Sequence, residues 1–439
     1  MRQHSPSQAS PICANEPPLQ AARLYMKFQI SALPVIQMRN PYNEIFKAPG
    51  AKAFSATGFI ARLPLSMITL GIVTMLSETH GEYWLAGAVA ATFAFSNALI
   101  APQVSRLVDR YGQRRILIPG TIVAVAALSS LMLATHYRAP SWTLFLFAVL
   151  AGTMPSMSAF VRARWTHIYR GSQKLHTAFA FESVVDEVIF MTGPIVAIGL
   201  SVGLFPEAGP LVATTLLALG NFLFAAQKST EPPVHAQDKS GGKSVIRLGS
   251  LQILVLTLIA IGAIFGTAEV TAVAFAEAQG DKASAGFALS AYAAGSLVAG
   301  LAFGALKLKL ALPRQLLLAI ALAALTTLPL MMVASIPTLA VVLFVAGVAV
   351  SPTIIISMAL VEKIVPSSKL TEGMTWAITG IGIGMAAGSS ASGWFIDNLG
   401  PTSGFFVSML AGFIALAVTL VGQASFRRST SRLVPAPAE

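Results

Sequence analysis

The stretch SRLVDRYGQRR, residues 105–115, decides how this chain folds. It is a short basic segment between two apolar runs, 84–104 and 116–135. Each run is close to the ~20 residues that cross a ~30 Å hydrocarbon layer. Asp109 ends the first helix at the membrane rim, Gly112 permits a tight turn, and Arg106, Arg110, Arg114 and Arg115 fall where lipid headgroups lie. The segment reads as the rim of a membrane-embedded helical hairpin.

Composition extends that reading to the whole chain. Hydrophobic residues make up 55%, charged residues 11%, and mean hydropathy is +0.72. Soluble domains carry about 25% charged residues. Twelve apolar runs follow one another, at 53–77, 84–104, 116–135, 142–161, 177–201, 208–227, 250–276, 284–306, 314–334, 337–360, 371–395 and 404–424. The expectation is an all-α polytopic membrane protein with twelve transmembrane helices. The longest polar interruption, KSTEPPVHAQDKSGGKSVIR at 228–247, has the Pro, Gly and Lys content of a linker. It divides the chain into a cytoplasmic N-terminal extension (1–50, expected to be disordered), a six-helix bundle (51–228), a cytoplasmic linker (229–248), a second six-helix bundle (249–425) and a cytoplasmic tail (426–439).

The formal charge of +11 raises the question of nucleic acid, and its distribution answers it. With the N-terminus inside, all but Arg138 and Lys282 of the 29 Lys and Arg residues fall on the inner side. The positive-inside rule produces this asymmetry, so the basic charge encodes topology. Both termini are expected in the cytoplasm and the protein in a bacterial inner membrane. Residues 1–50 contain no apolar segment of the kind a cleavable signal peptide needs, and Met26 and Met38 are alternative starts to Met1. The single cysteine, Cys13, permits no internal disulfide.

The two halves resemble each other. A shift of 199 places Glu78 on Glu277, Gly81 on Gly280, Gly87 on Gly286 and Arg115 on Arg314. A shift of 195 places Gly152 on Gly347, Lys174 on Lys369, Gly193 on Gly388, Pro206 on Pro401 and Gly209 on Gly404. Parallel six-helix repeats with a site between them near the bilayer midplane are a transporter architecture.

The 105–115 segment resembles the helix 2–3 loop signature of the major facilitator superfamily, G-x-L-a-D-r-x-G-r-r. Leu107, Asp109, Arg110, Gly112, Arg114 and Arg115 match, and Ser105 stands where the family usually has glycine. The resemblance covers roughly residues 50–425. It implies the two-bundle fold, and that Asp109 latches the halves by meeting the N-terminal end of the eleventh helix. The second-half counterpart, GALKLKLALPR at 304–314, keeps the charge and lacks the acid, so the latch is expected to be one-sided. Gly193-Pro194 resembles the helix 5 signature of proton-linked antiporters, which points towards efflux, although an ordinary proline kink gives the same dipeptide.

Ionisable side chains inside the bilayer cost about 2.5–3.5 kcal/mol each and persist where they are paired or functional. Here they are Glu182, Asp186 and Glu187 in the fifth run and Glu269 in the seventh. Arg62 lies in the first turns of the first run, where its stem can snorkel. Arg162 and Glu182 are equally far from the turn near residue 172, so they are expected to pair. At 100° per residue Glu182 and Asp186 share one stripe while Glu187 looks elsewhere. One arginine does not neutralise two deep acids, so Asp186 or Glu187 is expected to exchange a proton or touch substrate. Glu269 is a candidate cavity acid. Asn97, Gln103 and Trp376 are candidate cavity linings.

The chain contains no G-x-x-x-x-G-K-[ST] loop and no metal-binding histidine spacing. The expected function is therefore secondary transport, with no enzyme activity, cofactor, metal or nucleotide, powered by a proton gradient. The favoured form is proton-coupled efflux of a small organic solute by a monomer in the lipid bilayer. The rivals are proton-linked uptake or facilitated diffusion, and a non-transporting membrane sensor or scaffold.

Overall fold

The computed structural model describes residues 41–80, 83–234, 244–281, 284–306, 308 and 310–431. Cys13, the alternative starts Met1, Met26 and Met38, and Lys282 lie outside them. The described chain is helical. We number the long helices α1 (Ala51–His80), α2 (Tyr83–Tyr111), α3 (Gln113–His136), α4a (Ser141–Ala151), α4b (Met157–Tyr169), α5 (Lys174–Gly203) and α6 (Ala208–Ala226). The second half contains α7 (Gly249–Ala278), α8 (Ser284–Ala305), α9 (Leu312–Thr327), α10a (Ile336–Gly347), α10b (Val350–Ile364), α11 (Leu370–Leu399) and α12 (Phe405–Ser431). Among the described residues ten spans are long and apolar enough to cross a membrane. The α4a–α4b pair and α11 complete the expected twelve.

Two spans are broken where unbroken helices are expected. The run 142–161 splits at Gly152–Ser156, and 337–360 splits at Val348–Ala349. Pro155 supplies no backbone N–H, and a freed carbonyl inside a bilayer must find another donor. Asn97 of α2 supplies it, its amide donating to Gly152 O and Met154 O at 3.0 Å each. Gly152 and Gly347 are repeat equivalents, so the break is a property of both halves.

Residues 41–50, the end of the expected extension 1–50, are ordered, and residues 1–40 lie outside the described residues. Pro41–Ile45 forms a short helix, Ile45 is fully buried, and the Tyr169 hydroxyl donates to Ile45 O at 2.8 Å. The apolar Ile45 and Phe46 explain this, because they bury surface against the first bundle.

Burial shows how the bundles meet. We call the end carrying residues 105–115, 170–174, 228–234 and 244–247 the basic end. In that half of the molecule one continuous apolar core draws on both bundles, with Phe54, Trp165 and Phe179 from the first and Leu254, Ile355 and Met374 from the second. In the other half there are two separate cores. One, around Ile72, Val89 and Leu131, belongs to the first bundle, and one, around Phe275, Leu343 and Phe405, belongs to the second. The bundles are joined at the basic end and part towards the opposite end.

Candidate functional site

The seam at the basic end is built from the 105–115 segment. Gly112 has φ +95°, a left-handed conformation that glycine adopts without strain. The turn lets α2 end at the seam, where the Asp109 carboxylate accepts from Thr371 N at 3.1 Å and Glu372 N at 2.8 Å. Those amides are the unpaired donors of the first turn of α11, and a carboxylate at that helix end is favourable. Ser105 is fully buried and lies 2.7 Å from the Thr375 hydroxyl, so serine is accommodated where the family pattern has glycine. Arg110 and Arg114 remain on the first bundle. Arg110 lies over the Tyr111 ring, and Arg114 N donates at 2.9 Å to Glu231, just past α6. Arg115 follows on the exposed first turn of α3. The Glu372 carboxylate holds the far end of the linker through Ser244 and Val245 N. Arg170 of α4b–α5 reaches Glu362 of α10b at 3.1 Å.

Higher up, the intramembrane charges form a network that differs from the expected Arg162–Glu182 pair. Arg62 pairs with Glu182 at 2.6 Å and with Asp186 Oδ1 at 2.8 Å, while Arg162 takes Asp186 Oδ2 at 2.8 Å. Ser158 lies 3.4 Å from Asp186, and the Trp165 indole N–H donates to Glu182 at 2.5 Å. Arg62, Arg162 and Glu182 are at most 1% exposed, so Arg62 is a core residue and its side chain does not snorkel. Two arginines and two acids balance, and the network ties α1, α4b and α5 into one unit. Gly193 of α5 belongs to the same seam. A Cβ there would collide with Ser66 of α1, whose hydroxyl donates to Ile189 O at 3.0 Å. Pro194 stays within a continuous α5.

Glu187 is separate from this network, as the helical geometry requires. It faces the second bundle, where Ser296 Oγ of α8 donates to its carboxylate at 2.6 Å. Ser296 in turn lies 2.9 Å from Ser351 of α10b. Glu269 is exposed on α7. Among the described residues neither Glu187 nor Glu269 has a basic partner. Of the other candidates, Asn97 serves the α4 break, Gln103 is exposed, and Trp376 packs against the shared core.

The repeat makes the asymmetry explicit. The offsets that align the halves place Arg62 on Ile261, Arg162 on Ser357, Glu182 on Ala377 and Asp186 on Ile381. The charged unit belongs to the first bundle alone.

Two broken-helix bundles, joined at one end, parted at the other and carrying acids at the join, define an alternating-access membrane carrier. The Major Facilitator Superfamily model matches residues 54–280 and 253–438, and the chain belongs to that family. It is an integral membrane protein and a secondary transporter of a small-molecule substrate, not an enzyme.

Solved structures share the fold. The human organic anion transporter MFSD10 (TETRAN) is 15% identical, with 85% of this chain and 100% of that one covered at a TM-score of 0.65. A bacterial homologue of the iron transporter ferroportin, outward-facing with soaked iron, is 13% identical over 87% and 99%, at 0.66. The transporter FucP in its outward conformation is 11% identical over 85% and 98%, at 0.66. No curated protein matches the chain in sequence.

Proposed function

We propose that this protein exports a small organic solute across a bacterial inner membrane in exchange for protons, and that Glu187 is the proton-exchanging group. The basic end is the cytoplasmic end on the positive-inside rule, which places both termini inside. The conformation is then outward-open, closed by Asp109 on α11 and by the shared core. Solute leaves and protons enter between the parted halves, where Glu269 is exposed. The carrier acts as a monomer.

One observation carries the reading. The Glu187–Ser296 contact is a bridge between bundles that accommodates either protonation state. A charged Glu187 accepts from Ser296, and a protonated one donates to the same hydroxyl, so the proton changes the strength of the join without dismantling it. Asp186, by contrast, is neutralised by two arginines. Proton uptake at Glu187 replaces a charge-assisted hydrogen bond by a neutral one and shifts the balance between the two conformations.

The test is transport in proteoliposomes holding the purified protein, with a solute panel and internal pH recorded. Glu187→Gln is expected to abolish flux driven by a pH gradient while solute counterflow persists. Undiminished pH-driven flux in that variant sinks the assignment. Flux with no accompanying pH change favours facilitated diffusion, and proton movement with the solute favours uptake.

A further inference from the structure

We propose that residues 41–47 form a strap that holds the basic end shut by gripping both bundles at once. Its grip on the first bundle is apolar. Phe46 meets Trp165 edge-on at 5.8 Å and Phe181 at 5.1 Å, Ile45 is fully buried, and the Tyr169 hydroxyl donates to Ile45 O. Lys174 lies 3.8 Å from Glu44. Its grip on the second bundle includes a polar contact, in which the Tyr42 hydroxyl donates to Leu301 O of α8 at 2.8 Å.

That contact has a prepared seat. A Cβ at Gly304, one turn further along α8, would run into the Tyr42 hydroxyl and into Ala180 of α5. The Gly304 carbonyl accepts from Thr177 of α5 at 3.0 Å. The hydroxyl therefore lies against the line where α5 meets α8, about two turns below the Glu187–Ser296 bridge. When the basic end opens, α5 and α8 separate and Tyr42 must release Leu301 O. The strap travels with the first bundle, to which its apolar residues bind it.

The strap also touches the charge network. Phe46 packs on Trp165, and Trp165 donates to Glu182, the partner of Arg62. Seating of the strap and the position of the buried acids thus share one side chain. The device is distinct from the Asp109 latch, which joins α2 to α11, because it lies on α5 and α8 and comes from outside the twelve spans.

The experiment uses the full chain with Cys13→Ser, reconstituted, and spin labels at Gln173 and Ala311. Both are exposed and lie in loops of different bundles at the basic end. The distance distribution reads the ratio of closed to open molecules. Tyr42→Phe keeps the ring and removes the donor, and it is expected to move the ratio towards open by about 2- to 10-fold, the worth of one net hydrogen bond. Phe46→Ala, which unseats the strap from the first bundle, is expected to move it further in the same direction. An unchanged distribution in Tyr42→Phe overturns the proposal, whatever Phe46→Ala does, because the second bundle is then not held by the strap.

Discussion

The Arg62 guanidinium of α1 lies 2.8 Å from the Asp186 carboxylate of α5, two helices that the hairpin logic of the sequence does not connect. Arg62 is also the partner of Glu182 at 2.6 Å. This one side chain ties α1 to α5, Arg162 adds α4b through Asp186, and several consequences can be measured.

Arg62→Ala leaves Glu182 buried without its cation. Removing one partner of a buried pair costs about 3–5 kcal/mol. The unfolding midpoint in detergent should fall sharply. The paired variant Arg62→Met with Glu182→Met restores charge balance and should recover most of that loss.

Asp186→Asn leaves Arg62 and Arg162 sharing the single charge of Glu182. Its main effect should be on stability and yield of folded protein. Glu187→Gln, which disturbs no ion pair, should purify at wild-type yield and lose pH-driven flux. Equal thermal midpoints for the two variants would remove the distinction between a structural and an exchanging acid.

Asp109→Asn keeps the shape at the α11 N-terminus and removes the charge. A carboxylate there contributes about 0.3–1 kcal/mol, up to ~2 when partly buried. The population should shift towards the conformation open at the basic end. Cysteine labelling at both ends checks this, and unchanged accessibility at both would refute it.

Asn97→Asp tests the α4 break. The side chain keeps its size but no longer donates to Gly152 O and Met154 O. Unsatisfied buried acceptors cost about 1–3 kcal/mol, and the carboxylate adds repulsion. Asn97→Asp should therefore melt below Asn97→Ala by more than the ~0.7 kcal/mol that helix propensity alone would separate them.

Span count and the two halves were legible because each rests on a local pattern, and the Asp109 contact was implied by the resemblance of 105–115 to a family signature. Apolar run length marks a bilayer crossing, and the acid, glycine and arginine spacing of 105–115 marks a rim turn. The pairing of the buried charges was not legible. Depth counted from the α4–α5 turn ranks Arg162 beside Glu182, but that count is blind to α1. Arg62 lies about 16 Å along α1 from Ala51 at 1.5 Å per residue. That is too deep for the bilayer rim, and this was the available signal. The α4 break had one too, in Gly152 and Pro155 inside an apolar run, but length and hydropathy masked it. Tyr42 and Phe46 gave no signal, since a short aromatic lead-in becomes meaningful only once α5 and α8 are side by side.

The linker is fastened at each end to the bundle it leaves. Glu231 accepts from Arg114 N on the first, and Ser244 and Val245 sit on Glu372 of the second. Neither anchor depends on the covalent chain between them. Cut there, the protein becomes two polypeptides, each keeping its own anchored stub, and co-expression of the two fragments should assemble a working carrier from separate genes.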